Sequence, residues 1–183
     1  ITILGFQLLG GLALLALLVW RRWPVGATFD LVIPGMPLLQ AVGRLGCLAQ
    51  GCCGGRPSAG ALAMNLPGID GRWLPRHPTQ LLAAAADLAI LGTLLLVERR
   101  AARRGGLPFA GFLAVLFALL TLGKRLLLEP LREQSLPPLG PLTPAQAFCL
   151  LGRLVAGALL LLGLARARRA LLQRRGLPPE IAD

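Results

Sequence analysis

Arginine, thiol and glycine crowd into one stretch, Gly43-Arg44-Leu45-Gly46-Cys47-Leu48-Ala49-Gln50-Gly51-Cys52-Cys53-Gly54-Gly55-Arg56-Pro57, and a second polar stretch follows it, Arg76-His77-Pro78-Thr79-Gln80. A guanidinium suits bidentate contact with phosphate, and an arginine inside the end of an apolar run is costly unless it is paired or lines a cavity. Beside flexible glycine backbone, Arg44 therefore points to the handling of an anion or a polar substrate. His77 is the chain's one histidine, and its ordinary pKa lies near neutrality. It is a candidate proton acceptor or substrate-orienting group, with an ordinary loop residue before proline as the plain alternative. Arg125 and Glu129 are four residues apart, so on a helix they share a face and can pair, either as part of a site or as a helix-end ion pair ahead of Pro130. Arg132 and Glu133 extend that charged rim.

The thiols are less easily read. Cys47, Cys52 and Cys53 crowd together, and Cys149 stands apart. With His77 they suggest a three-cysteine, one-histidine zinc site. The spacing C-x4-C-C lacks the C-x2-C hairpin of such sites, however, and adjacent cysteines seldom both reach one metal. The expectation is packing residues or a local disulfide, which needs Cys47 or Cys149 as partner because adjacent cysteines rarely pair. No metal or organic cofactor is implied.

These residues must be positioned by apolar elements. The chain has 183 residues, 55% of them hydrophobic, and a mean hydropathy of +0.69. Several apolar runs are long enough to cross a bilayer core of about 30 Å, which excludes an ordinary soluble domain. A net charge of +11 raises nucleic acid as a partner, but the arginines cluster at the ends of apolar runs rather than along a polar face, so nucleic-acid binding is not expected. The first run is followed by Arg21 and Arg22 with no small-residue cleavage site, and it reads as a span rather than a signal peptide.

Five spans are expected, at about Ile3 to Trp20, Phe29 to Gln50, Leu81 to Val97, Leu107 to Leu128 and Ala145 to Ala165. The second is interrupted by Pro34, Gly35, Pro37, Gln40, Gly43 and Arg44, which is tolerable only where protein or a wet cavity covers the backbone. If the spans alternate, Arg21 and Arg22, the cluster Arg99, Arg100, Arg103 and Arg104, and the tail arginines Arg166, Arg168, Arg169, Arg174 and Arg175 share one side, which should be cytoplasmic. The expectation is an all-α polytopic transmembrane bundle, N-terminus out and C-terminus in. Arg44, the cysteines, His77, Gln80, Arg125 and Glu129 then gather toward the outer face. Thr79 is placed to cap the third span. Asp87 and Arg153, at similar depth within spans three and five, are expected to pair with each other.

Gly43-Arg44-Leu45-Gly46 with Gly55-Arg56-Pro57, then His77-Pro78-Thr79-Gln80-Leu81, then Arg125-Leu126-Leu127-Leu128-Glu129-Pro130 with Arg132-Glu133, resemble the prolipoprotein diacylglyceryl transferase family. Leu142-Thr143-Pro144-Ala145-Gln146 resembles the start of that family's final helix. The resemblance implies an enzyme of the bacterial cytoplasmic (inner) membrane. It moves the diacylglyceryl group of phosphatidylglycerol to the lipobox cysteine in the signal peptides of prolipoproteins, amid membrane lipids and with no cofactor. It implies catalytic roles for Arg125 and Glu129, a headgroup contact for Arg44 and a signature glycine at Gly55; His77 is the leading catalytic candidate to deprotonate the acceptor thiol, and Gly43, Gly46 and Gln80 are further candidate substrate contacts. Residues 1–165 would form the transmembrane transferase-like domain and 166–183 a basic cytoplasmic tail. Where the family has asparagine and glutamate this chain has Cys47 and Cys52, and Leu82 and Ala83 replace its tyrosine and glutamate. The family's histidine ahead of the signature has no counterpart, and the chain has no tyrosine. These departures favour a rival reading, a transfer-inactive lipid-binding or thiol-redox membrane protein on the same scaffold.

Overall fold

The computed structural model describes residues 3–68, 71–133 and 143–174. Six helices make up most of it: α1 (Ile3–Trp20), α2 (Val25–Val32), α3 (Gly35–Ala49), α4 (Thr79–Arg103), α5 (Phe112–Leu128) and α6 (Pro144–Arg174). One short hairpin, β1 (Met64–Pro67) with β2 (Trp73–Arg76), corrects the all-helical expectation. It forms because the glycine- and proline-rich segment between α3 and α4 cannot sustain a helix, and two short strands pair its backbone instead.

Two helices, α4 and α6, are each long and apolar enough to cross a membrane, and the pair α2 and α3 counts as a third if taken as one span bent by 42°. The bend falls at Pro34, which has no N–H to give to the preceding turn. The long fourth run begins later than Leu107, because Pro108 and Gly111, the latter at φ 95°, keep the backbone out of helix until Phe112. The core is a cluster of Ile90, Leu94 and Leu113 between α4 and α5, with Ile33, Phe112 and Phe117 packed against it. Along α6, by contrast, Leu151, Leu154, Leu161 and Leu162 are exposed, the surface an apolar solvent would cover.

Helix α5 is the element the others are built around. Its N-terminal N–H groups are not capped locally. The buried carboxylate of Asp30, on α2, accepts from Gly111 N at 2.6 Å, Leu113 N at 2.8 Å and Ala114 N at 3.3 Å. A negative group here satisfies orphan donors and faces the positive end of the helix dipole. Gly26 permits the approach, since a Cβ on it would lie 2.7 Å from the Ala110 carbonyl. Helix α6 is capped within its own chain: Thr143 Oγ1 accepts from Gln146 N at 3.1 Å, and Gln146 Oε1 accepts from Thr143 N at 2.9 Å, a reciprocal capping box. Thr79 does not cap α4. It is the first helical residue, and its hydroxyl donates to Cys53 O at 2.9 Å.

The buried Asp87 of α4 is paired with Lys124 of α5, not with Arg153. Arg153 instead lies against Gly123, whose missing Cβ leaves room for the guanidinium. Lys124 wins because it comes from the helix packed directly on α4, and its Nζ also donates to Gln40 Oε1 on α3 at 3.1 Å. One ammonium thus ties three helices together. Removing only the cation should be costly, because it strands a buried carboxylate. Lys124→Met is expected to destabilise the protein by about 3 kcal/mol or more, and adding Asp87→Leu to recover most of that loss. Thermal denaturation of the purified variants in detergent checks it. A double variant no more stable than the single one would show that the pair does not hold the bundle.

Candidate functional site

The polar end of α3 is shaped by how that helix stops. Gly51 takes φ 64°, so its N–H bonds to Leu48 O at 3.0 Å and the N–H of Cys52 reaches back to Cys47 O at 3.0 Å. That six-to-one closure is a Schellman motif, and it folds Cys52 back over Cys47, five positions earlier. Cys53 follows in a left-handed conformation at φ 62°. The turn is held from α4: Gln80 Nε2 donates to Cys52 O at 2.7 Å, beside the Thr79 bond to Cys53 O. As a result the Sγ atoms of Cys47, Cys52 and Cys53 all lie within 4.8 Å of one another. All three are free thiols, and Cys52 and Cys53 are exposed. Linear spacing did not reveal this convergence, because the helix stop supplies it. Partial desolvation, followed by the neighbouring thiols of Cys53 and Cys47, pushes the Cys52 thiol up to about 11.

Beyond the cysteines the backbone passes through a narrow gap. Gly55 N donates to His77 O at 2.9 Å, Arg56 N to Leu131 O at 2.9 Å and His77 N to Arg56 O at 3.1 Å. A Cβ on Gly55 would sit 2.5 Å from Leu131 O and 2.8 Å from His77 Cβ, so only glycine fits between the end of β2 and the turn after α5. Arg76 is 2% exposed and donates to Glu133 Oε1 at 2.8 Å and to Gly55 O at 3.4 Å, clamping the same junction. Its burial could have been suspected only from its place beside His77. The His77 ring is half-buried, and among the described residues no hydrogen bond or ion pair joins it to Arg125 or Glu129.

The guanidinium cluster lies at the C-terminal end of α5. Arg125 Nε is 3.2 Å from Glu129 Oε2, and Arg132 Nε is 4.0 Å from the same oxygen. Neither atom of the closer pair makes an angled hydrogen bond, so the contact is one of charge, with hydrogen-bonding capacity left over on both sides. Glu129 is buried and opens a single 3-10 turn, Glu129–Leu131, that Pro130 starts. Burial, then the charges of Arg125 and Arg44, pull Arg132 below the ordinary guanidinium range, and Glu129 opposes them. Arg44 and Arg125 are also within electrostatic reach of Lys124. Among the described residues, Arg44, Lys124, Arg125 and Arg132 act on one another electrostatically, and Asp87 and Glu129 are the carboxylates paired with them, a local excess of positive charge.

This excess adjoins an apolar cavity of about 630 Å³. Gly10, Gly11 and Leu14 of α1, Phe29, Ile33 and Met36 of the bent pair, and Phe117 of α5 line it. Gln40 and Gly43 form its polar end, one residue from Arg44 and in contact with Lys124. Neither Gly43 nor Gly46 has an atom within 4 Å of where a Cβ would stand, so their role is open space rather than close packing. Gln40 has a buried, unpartnered Nε2. Lys124 escaped sequence reasoning, although it is the only lysine in the chain and sits inside an apolar run, and Gln40 was read only as an interruption of the second span. Among the residues expected to form the site, the fold brings Arg44, Arg125 and Glu129 together. Gly43 lines the adjoining cavity, Gln80 and Gly55 act on the surrounding backbone, and His77 sits across the Gly55 junction.

The family model for prolipoprotein diacylglyceryl transferase matches residues 1–162. Proteins named phosphatidylglycerol–prolipoprotein diacylglyceryl transferase are similar to the chain in several bacteria. The one from Methylocella silvestris is 37% identical over 71% of this chain and 46% of its own length. That from Clostridium tetani is 34% identical over 46% of this chain and 35% of its own length. That from Trichormus variabilis is 33% identical across 100% of this chain and 64% of its own. The chain therefore spans between about a third and two thirds of the length of these relatives. With a cation cluster beside an apolar cavity and the family model matching over residues 1–162, the chain belongs to the prolipoprotein diacylglyceryl transferase family.

Proposed function

We propose that this chain transfers the diacylglyceryl group of phosphatidylglycerol to the thiol of a lipobox cysteine in a prolipoprotein signal peptide, releasing glycerol 1-phosphate. The observation that carries the reading is the juxtaposition of the apolar cavity with the local excess of positive charge around Arg44, Arg125 and Arg132. An acyl chain fills the cavity, burying apolar groups at about 0.8 kcal/mol per methylene, and the headgroup phosphate meets the guanidiniums. As the carbon–oxygen bond breaks, the phosphodiester with one negative charge becomes a phosphomonoester with two. A preformed positive excess in a low-dielectric setting stabilises that change more than it stabilises the bound substrate. Glu129 holds Arg125 and Arg132 in place without neutralising the cluster, and His77 is assigned the role of taking the proton of the acceptor thiol. Cys52, pushed up to about 11, does not offer the low-pKa thiolate that a thiol-redox relay needs at that position.

The same reading places five spans in the bacterial inner membrane, with residues 1–165 as the membrane-embedded transferase unit and 166–183 as a basic cytoplasmic tail. Basic residues close α4 and populate the end of α6, and Gly163 of α6 packs on Phe109 just ahead of α5, which supports one shared basic end. The cation cluster sits at the opposite end of α5, which this reading assigns to the extracytoplasmic side. Reporters fused after Arg104 and after Arg175 should read as cytoplasmic, and one in the Gly60 to Gly71 loop as external. A cytoplasmic signal from that loop would overturn the orientation.

Arg44→Ala and Arg125→Ala should each abolish transfer in membranes while abundance and insertion stay near those of the parent. Arg125→Lys should rescue poorly, because a point charge does not reproduce a planar two-pronged contact. Radiolabelled phosphatidylglycerol followed into a lipobox peptide checks it, and full transfer by both alanine variants would remove the phosphate-binding assignment.

A further inference from the structure

The three thiols beside the cation cluster have no place in the chemistry above. We propose that Cys47, Cys52 and Cys53 form a binding site for a zinc ion, with three thiolate ligands and an open fourth position. The sulfur atoms are already within 4.8 Å of one another. Zinc–sulfur bonds of about 2.3 Å in tetrahedral array set ligand sulfurs about 3.8 Å apart, so small side-chain rotations close the site. The backbone that aims them is fixed by the Schellman closure from Cys52 N to Cys47 O and by the bonds from Gln80 and Thr79 to Cys52 O and Cys53 O. Such outer hydrogen bonds hold ligands in register. Cys53 keeps a left-handed backbone although it is not glycine, a strain that a ligand role accounts for.

Three soft thiolates select zinc or copper(I) over harder cations. Zinc is favoured here by charge and by coordination. Three thiolates around Zn²⁺ carry one net negative charge, and Arg132 lies within electrostatic reach of Cys53. Three protein ligands and a vacant fourth position are also how catalytic zinc is held. Cys52 and Cys53 are exposed, so an incoming sulfur can reach the ion. Resting on the transfer reading, the fourth ligand is the acceptor cysteine of the signal peptide. Zinc binding lowers the pKa of that thiol, its proton passes to His77, the base of the transfer reading, and the sulfur is held as thiolate. Its sulfur then bonds to the terminal glycerol carbon of the diacylglyceryl group, and the carbon–oxygen bond to phosphate breaks with its electron pair, leaving glycerol 1-phosphate. No electron is gained or lost by the metal.

The test uses the full chain in detergent, reduced, with cobalt(II) as a spectroscopic stand-in for zinc. One equivalent of cobalt should give a tetrahedral thiolate spectrum that zinc displaces. Cys47→Ser, Cys52→Ser and Cys53→Ser should each weaken binding at least about 10-fold, and the triple variant should lose the spectrum. Cys149→Ser should retain it. A lipobox peptide should shift the cobalt bands, whereas the same peptide with serine in place of cysteine should not. Because the spectrum needs no lipid and no turnover, it stands or fails separately from the transfer reading. Absence of a thiolate spectrum, an unchanged spectrum in the triple variant, binding of copper(I) but not of zinc or cobalt, or a disulfide joining Cys47 to Cys52 or Cys53 in protein taken directly from membranes would overturn the zinc site. No shift with the cysteine peptide would overturn the vacant fourth position.

Discussion

Charge buried in an apolar bundle has to be matched, and three carboxylates do that matching along α5. Asp30 meets the free N–H groups at its start, Asp87 meets Lys124 in its last third, and Glu129 meets Arg125 where it ends. Each contact joins α5 to something else: α2, then α4 and α3, then the turn that carries Arg132. With desolvated charges, a lost partner costs more than the pair contributes, so these contacts fix register and leave little freedom to slide. The guanidiniums of Arg125 and Arg132 sit at the end of the helix so held.

Among the described residues the cations around the end of α5 outnumber the carboxylates paired with them, beside a cavity whose wall is apolar apart from Gln40. A protein that needed only stability would gain by filling or neutralising this region. An amphiphile with a long apolar part and an anionic head would satisfy both halves at once, which is what supports the proposed substrate class. The hairpin, the Gly55 junction and the Arg76 clamp close the region on its polar side. They bring the backbone of β2, the turn after α5 and the cysteine turn into a single unit next to the guanidiniums.

The helices were legible because long apolar runs admit little else, and the break in the second run was legible because Pro34 cannot donate a hydrogen bond. The Arg125 and Glu129 pair was legible from its spacing of four. Other features depend on three-dimensional closure that spacing does not encode. Asp87 had two possible cations, and which one it meets is decided by α5 packing on α4, so Arg153 was the wrong partner. Thr79 reads as a cap, yet its hydroxyl serves a turn 26 residues earlier. The cysteines look unsuited to act together because C-x4-C-C is read as a linear string, whereas a left-handed Gly51 returns Cys52 onto Cys47. The hairpin went unread for a similar reason: its strands are four residues each and are defined by their pairing.

The proposal to be tested is that the positive surplus and the cavity are the two halves of a lipid-transfer site. The most direct measurement is mass spectrometry of a lipobox peptide incubated with the purified chain and phosphatidylglycerol. The account predicts a mass gain equal to one diacylglyceryl group on the cysteine sulfur, with an equal amount of glycerol 1-phosphate released. An unmodified peptide, in the presence of folded protein that binds phosphatidylglycerol, would contradict it.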